Sequence, residues 1–120
     1  MSVKVDLDRL ADELANYKFA YLVTVGDDFH AHTVAVEPVF VDGRFDVGPV
    51  GGTTSRNLAS HDSATLVWPP SAPGGYTLIV DGRADSRYVV PDRAVLHRKA
   101  PPGVATKPGC KDDCHPLERS

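Results

Sequence analysis

The sequence predicts an α+β domain whose main part is an antiparallel sheet, closed or half-closed into a barrel. Short segments rich in β-branched and aromatic residues follow one another along the chain, and turn-forming pairs such as Asp42-Gly43 separate them. Only two stretches have the composition of a helix. Strands joined by short turns pair antiparallel, and closure of the sheet removes exposed edges. We therefore expect five or six strands and two small helices.

Composition bounds the class of protein. The chain has 120 residues, a mass of 12.9 kDa and 42% hydrophobic residues, which suits one domain with a real core. A net charge of -3 and a pI near 5.9 argue against nucleic acid as a partner. No apolar run approaches the length of a membrane span, and the N-terminus lacks a signal-peptide pattern, so we expect no membrane partner and a cytoplasmic location.

The first quarter of the chain predicts a helix and then a strand. Asp6 stands in the position of a helix cap, and residues 19–25 are rich in β-branched and aromatic residues before the turn composition of Gly26-Asp27-Asp28. The apolar residues with helical spacing are Leu7, Leu10, Ala11, Leu14 and Ala15. An amphipathic helix therefore precedes the first predicted strand.

Residues 30–47 predict a hairpin. His30–Val41 is one long extended run, and Pro38 within it indicates an edge strand or a bulge. Asp42-Gly43 is a strong hairpin pair that returns the chain into Arg44–Val47.

The second half predicts one short helix, Arg56–Ser60, and three further strands. A turn or a bulge is expected at Asp81-Gly82, and the last strand is expected to end before Pro91. The predicted strands are Ala64–Trp68, Tyr76–Val80 and Arg87–Val90.

The domain is predicted to occupy residues 1–99. Residues 100–120 form a Pro/Gly-rich C-terminal tail without a core pattern, and this tail contains both cysteines, Cys110 and Cys114. Cys110, Cys114 and His115, with His97, are the right residue types for zinc, but two free thiols or one local disulfide explain them equally well. No disulfide framework is therefore expected in the domain.

The segment Gly51–Leu58 carries the strongest functional signal. Two glycines lead into Thr53, Thr54, Ser55 and Arg56 at the start of a helix-compatible run. Glycines let backbone amides approach an anion, hydroxyls and a guanidinium donate to its oxygens, and a helix N-terminus adds a favourable dipole. The pattern suits a phosphorylated small molecule. An ordinary Thr or Ser helix cap is the alternative.

One other group of residues suggests a metal site. His30 and His32 share one strand face, and with Glu37 and Gly43 they resemble the first metal motif of the cupins. The second cupin motif is missing, because Tyr76 follows the Pro-Gly-Gly run where a histidine is needed, and solvent-exposed histidines are the simpler interpretation.

The basic and aromatic residues in the second half of the chain each have two interpretations. Trp68 ends a strand, where its indole either packs in the core or lines a pocket for a flat ring. The basic residues of this region form a solvated face or attract an anionic ligand; they are Arg83, Arg87, Arg93, Arg98 and Lys99.

The succession of these segments, over about residues 7–98, resembles the pyridoxamine phosphate oxidase-like family of flavin and deazaflavin proteins. The helix, the strand 19–25, the hairpin at Asp42-Gly43, Thr54–Leu58 and the strands that follow appear in the order of that family. The resemblance implies a split β-barrel with two or three short helices, and a homodimer that binds FMN or a deazaflavin coenzyme at the subunit interface.

The resemblance also implies roles for individual residues. The cofactor-binding residues would be Val47, Gly48, Pro49, Thr53, Thr54, Ser55, Arg56, Asn57 and Trp68. The helix start would hold the phosphate or ribityl chain, with Arg56 as the main charged contact, while residues 47–49 and Trp68 would lie near the ring.

The implied activity is hydride transfer on an unknown small molecule, since the cofactor supplies the chemistry and no triad or carboxylate pair is needed. The C-terminal substrate segment of true pyridoxamine phosphate oxidases is missing, so that reaction is not expected. The alternatives are a non-catalytic flavin or haem carrier on the same barrel, with His97 or His115 as an axial ligand, and a metal-dependent cupin-like protein using His30, His32 and Glu37.

Overall fold

The computed structural model describes residues 2–99. They form eight strands, two α-helices and one 3-10 turn. The strands are β1 Ser2–Val5, β2 Ala20–Val25, β3 Ala31–Val36, β4 Val39–Val41, β5 Arg44–Asp46, β6 Ser63–Trp68, β7 Thr77–Asp85 and β8 Tyr88–His97. The helical elements are the 3-10 turn Leu7–Arg9, α1 Leu10–Leu14 and α2 Gly52–Ser60.

The strands form one sheet in which every pairing is antiparallel. Its order is β3-β2-β6-β7-β8-β5-β4, and β1 also pairs with β8. β5 pairs with Tyr88 and Val89, whereas β1 pairs with residues 94–97. β1 and β5 therefore share the edge of β8 that faces away from β7. The predicted α+β class with a mainly antiparallel sheet and short helices is confirmed.

The sheet curls strongly around its core. Phe45 on β5 and Trp68 on β6 have ring centroids 5.2 Å apart, although three strand spacings separate these strands, about 14 Å in a flat sheet. The edge strands β3 and β4 lie at opposite ends of the order, yet only Glu37-Pro38 joins them. The two sheet edges therefore meet at this link, and no ladder between them is found in residues 2–99.

The core fills the inside of the curl. Its centre is apolar, and α1 contributes Leu10 while α2 contributes Thr54. The buried apolar residues are Leu10, Ala20, Leu22, Phe45, Val47, Ala64, Leu66, Trp68, Leu78, Val80, Val89, Ala94 and Val95. At about 25 cal/mol per Å² of buried apolar surface, the larger of these side chains contribute about 1.5–3 kcal/mol each.

The predicted elements are confirmed in most places, with three main differences besides the earlier start of α2 at Gly52 and the continuation of β7 to Asp85. The N-terminal helix, the strand at 19–25 and the hairpin at Asp42-Gly43 are present, and Asp42 and Gly43 both have positive φ. The prediction of five or six strands was too low. β1 has only four residues and pairs with the distant end of β8, and the run His30–Val41 divides at Glu37-Pro38 into β3 and β4.

The third difference is β8, which was expected to end before Pro91 but continues to His97. Pro91 lies opposite Gly82, where the register shifts at a bulge. On the other edge of β8, the partners stop at Val89 and resume at Ala94, so no strand there needs the missing Pro91 amide hydrogen. Gly82 is required at the bulge, because a Cβ would collide with the Val90 carbonyl oxygen.

Candidate functional site

No side chain caps the N-terminus of α2 among the described residues. Its N-cap is Gly51, in an extended conformation, and the helix includes Thr53, Thr54 and Ser55. The first intrahelical bond runs from the Ser55 amide to the Gly51 carbonyl oxygen at 2.9 Å. The three amides before it have no partner within the helix. The alternative interpretation, an ordinary Thr or Ser cap, is therefore wrong.

A cleft of about 400 Å³ lies between α2 and the turn that joins β7 to β8. We call it the α2 cleft. It is lined by Val50, Ser55, Leu58, Ala84, Ser86 and Arg87, and also by Ala59. Ser55, Leu58 and Ala59 share one side of α2 because they are three and four residues apart. The cleft thus combines apolar walls with two hydroxyls and one guanidinium.

Arg87 is held in place by Asp46. Its Nε donates to Asp46 Oδ1 at 2.7 Å, and the Gly48 amide donates to the same oxygen at 2.9 Å. The Val47 amide donates to the Arg87 carbonyl oxygen at 3.0 Å. The hydrogen bond from Arg87, followed by that from Gly48, lowers the pKa of the Asp46 carboxyl, and Asp46 raises the pKa of Arg87. The predicted segment 47–49 is therefore tied to the arginine of the α2 cleft.

Arg56 lines a neighbouring depression, which shares Ala59 with the α2 cleft. Its Nη2 donates to Thr53 Oγ1 at 3.2 Å, and Asp27 and Asp28 line the same depression. His61 Nε2 lies 3.0 Å from Asp27 Oδ1. Arg56 thus shares an acidic surface, and it does not line the α2 cleft with Ser55.

The remaining predicted residues of α2 face in different directions. Thr53 is exposed, whereas Thr54 is buried and has no surface for a ligand. Asn57 Nδ2 donates to the hydroxyl of the buried Thr24 at 3.1 Å. Thr54 and Asn57 therefore attach α2 to the sheet.

Trp68 is not brought to α2. It is 3% exposed, packs against Phe45 and pairs with Leu78 at the start of β7. Ser63, at the other end of β6, pairs with Arg83 near the α2 cleft. Five residues along a strand span about 17 Å, so Trp68 lies at the opposite end of the sheet, beside a second cleft next to α1.

The possible metal ligands do not converge. His30 Nδ1 lies 3.0 Å from Asp28 Oδ2, on an exposed turn, and residues 2–99 contain no group of three His, Cys, Asp or Glu side chains suited to a metal ion. His97 Nδ1 lies 3.0 Å from Ser2 Oγ. Cys110, Cys114 and His115 lie outside the described residues.

The comparisons with known proteins identify relatives. No family model matches the chain. An uncharacterized protein of Mycobacterium bovis and one of Mycobacterium tuberculosis are each 50% identical to it over 132 residues, which cover 92% of this chain and 93% of each relative. The chain belongs to the family of these mycobacterial proteins.

The names of these relatives state no ligand and no reaction. Because the similarity covers 92% of this chain and 93% of the relative, it extends over most of the domain rather than one motif. No helix in residues 2–99 combines the length and the apolar character needed to cross a membrane.

Proposed function

We propose that this protein is a small oxidoreductase on a split β-barrel, which binds FMN or a deazaflavin coenzyme and transfers a hydride to or from a small molecule. The observation that carries the proposal is the α2 cleft, which is lined by both Arg87 and Ser55, a residue in the first turn of the uncapped helix α2. The curled antiparallel sheet, whose edges meet only at Glu37-Pro38, supports the split barrel.

The donors at this end of α2 fit a phosphate group. The amides that precede the first intrahelical bond carry the positive end of the helix dipole. The Gly48 amide is already bonded to Asp46 Oδ1, but a Cβ added at Gly51 would meet no atom within 4 Å. Backbone amides and a bound anion are therefore able to approach one another closely there.

Arg87 takes the role of main charged contact in this proposal. Its bond to Asp46 uses Nε and fixes the guanidinium plane, so its ordering cost is met before a ligand binds. Arg56, in contrast, shares a depression with the carboxylates of Asp27 and Asp28, which repel an anion.

The apolar walls Val50, Leu58 and Ala84 provide a surface for the ring end of the cofactor. The cleft is open to solvent on one side, and in a homodimer a second copy of the chain would supply the opposite wall. A bound flavin or deazaflavin supplies the hydride chemistry. The protein's own residues bind the phosphate, orient the ring and exclude water from it.

The first test is cofactor binding by the full-length chain. We expect purified protein to gain a flavin-type absorbance, with quenched flavin fluorescence, when it is titrated with FMN or with a deazaflavin coenzyme. Arg87→Ala should weaken binding by about tenfold or more, as expected for a charged hydrogen bond. Arg83→Ala is the matched control, because Arg83 is also exposed and pairs with Asp62 and Asp92. If the protein bound neither FMN nor a deazaflavin coenzyme, the proposal would be rejected.

A non-catalytic carrier on the same barrel would bind the cofactor in the same cleft. Reduction of the bound cofactor, followed by its reoxidation on addition of candidate small-molecule acceptors, separates the two functions. A carrier would give stable bound cofactor and no acceptor-dependent turnover.

A further inference from the structure

A second cleft, at the far end of the sheet from α2, has the character of a ligand site. We call it the α1 cleft; its volume is about 330 Å³ and it lies between α1 and the link where the two sheet edges meet. Its floor and walls include Leu14, Tyr17, Phe40 and Trp68. Small-molecule sites are typically clefts of this size with aromatic walls and a few polar groups.

The aromatic walls of the α1 cleft are fixed by the fold. Tyr17 donates its hydroxyl to the Tyr76 carbonyl oxygen at 3.0 Å. Phe40 packs against Phe45 with the rings tilted and their centroids 4.6 Å apart, and Phe45 in turn contacts Trp68. The walls therefore need little ordering when a flat ring enters.

Two opposite charges line the same cleft. Lys18 follows α1, and Glu37 begins the link between β3 and β4; both side chains are exposed. Neither makes an ion pair within residues 2–99. An ammonium and a carboxylate beside aromatic walls match a ligand that carries an aromatic ring and both complementary charges.

We propose that the α1 cleft binds a small aromatic zwitterion, an amino-acid-like molecule whose ring contacts the half-buried Tyr17 and Phe40 and whose charges face Lys18 and Glu37. This site does not depend on the proposed cofactor site, because the two clefts share no lining residue.

Trp68 is the chain's single tryptophan, so its fluorescence reports directly on the α1 cleft. The probe is L-phenylalanine, with phenethylamine and phenylacetate as comparisons that each lack one charge. Excitation at the red edge of tryptophan absorption avoids light absorption by all three molecules. We expect a saturable change in emission with L-phenylalanine, and weaker binding of both comparison molecules. No saturable change with any probe would overturn the site, and equal binding of all three would overturn the zwitterion.

Variants locate the binding. Ala11→Leu places a larger side chain in the α1 cleft from an exposed helical position and should abolish the response. Ala59→Leu is the matched control on α2 and should leave it unchanged. Lys18→Ala and Glu37→Gln should each weaken binding by about threefold, and they keep the test valid if Ala11→Leu fails to fold. An unchanged response in Ala11→Leu, Lys18→Ala and Glu37→Gln would overturn the proposal.

Titration of the same samples with FMN separates the two proposals. Binding of L-phenylalanine without binding of any flavin or deazaflavin would reject the cofactor proposal and support the α1 cleft. Cofactor binding with no response to L-phenylalanine would reject only the α1 cleft.

Discussion

Two arginines lie near α2, Arg87 and Arg56, and their surroundings differ. Arg87 from the β7–β8 turn is fixed by Asp46 and lines a cleft with Ser55 and apolar walls. Arg56 of the helix itself bonds to Thr53 and shares a depression with the carboxylates of Asp27 and Asp28. An arginine next to a glycine-rich helix start is therefore not, by position alone, the arginine of the cleft.

The comparison shows what makes a cation suitable for binding an anion. A guanidinium among several carboxylates sits in a negative local potential, which disfavours an anion. A guanidinium that one carboxylate fixes through Nε keeps its two terminal nitrogens in place to donate to an anion. The amides at the start of α2 contribute to anion binding beside Arg87 only if α2 is held rigidly against the sheet.

The largest effect is expected from the attachment of α2. Asn57→Ala removes the bond to the buried Thr24 hydroxyl, which then has no partner among the described residues. We expect the free energy of unfolding to fall by about 1–2 kcal/mol, the usual cost of an unsatisfied buried polar group. Urea unfolding followed by circular dichroism measures it.

Ser60→Ala is the control for that experiment, because its hydroxyl makes only an exposed 3.4 Å contact with Asp27. Its stability should stay within about 0.5 kcal/mol of the wild type. If both variants lost the same stability, α2 would not be anchored through Asn57.

A smaller effect is expected from the Asp46–Arg87 pair, and it depends on pH. Because the folded-state pKa of Asp46 is lowered, its contribution is fully present above the ordinary pKa of about 4. It is lost as the pH falls through the folded-state pKa. Asp46→Asn should therefore be less stable than the wild type at neutral pH, and the difference should shrink in acid.

Chemical denaturation of the two proteins across the acid range measures this difference, and Asp42→Asn at the exposed β4–β5 turn is the control. A stability gap between Asp46→Asn and the wild type that stays constant down to the lowest pH would contradict the coupling. In the cofactor proposal, Asp46→Asn also weakens FMN binding, but by less than Arg87→Ala, because the guanidinium remains.

The local elements follow from sequence because their causes are local. Asp42-Gly43 adopts the positive φ values that its composition predicts, and residues 19–25 form a strand. β1 was missed because its four residues are stabilised by pairing with the far end of the chain. The continuation of β8 past Pro91 depends on two partner strands that leave a gap there, which no local pattern reveals.

The candidate site likewise has one part that the local sequence predicts and another that depends on strand pairing. Ser55 and the uncapped start of α2 lie within the segment that the sequence selects. Arg87 was one of five basic residues without a distinguishing feature, and it reaches the cleft because Asp46 pairs with Tyr88 in the sheet. A register between β5 and β8, rather than a motif, brings Asp46 and Arg87 together. Sequence spacing also gives no sign that Trp68 and α2 lie at opposite ends of β6.

The smallest effect is expected for Arg56→Ala, the residue that the sequence pattern favours most. Arg56 is exposed, bonds only to Thr53 at 3.2 Å and borders Asp27 and Asp28. Its removal should change the free energy of unfolding by less than about 0.5 kcal/mol and FMN affinity by no more than about twofold. The measurements are urea unfolding and FMN titration beside Arg87→Ala. A loss of affinity for Arg56→Ala equal to or larger than that for Arg87→Ala would contradict the assignment of the phosphate to the α2 cleft and would place it beside Arg56.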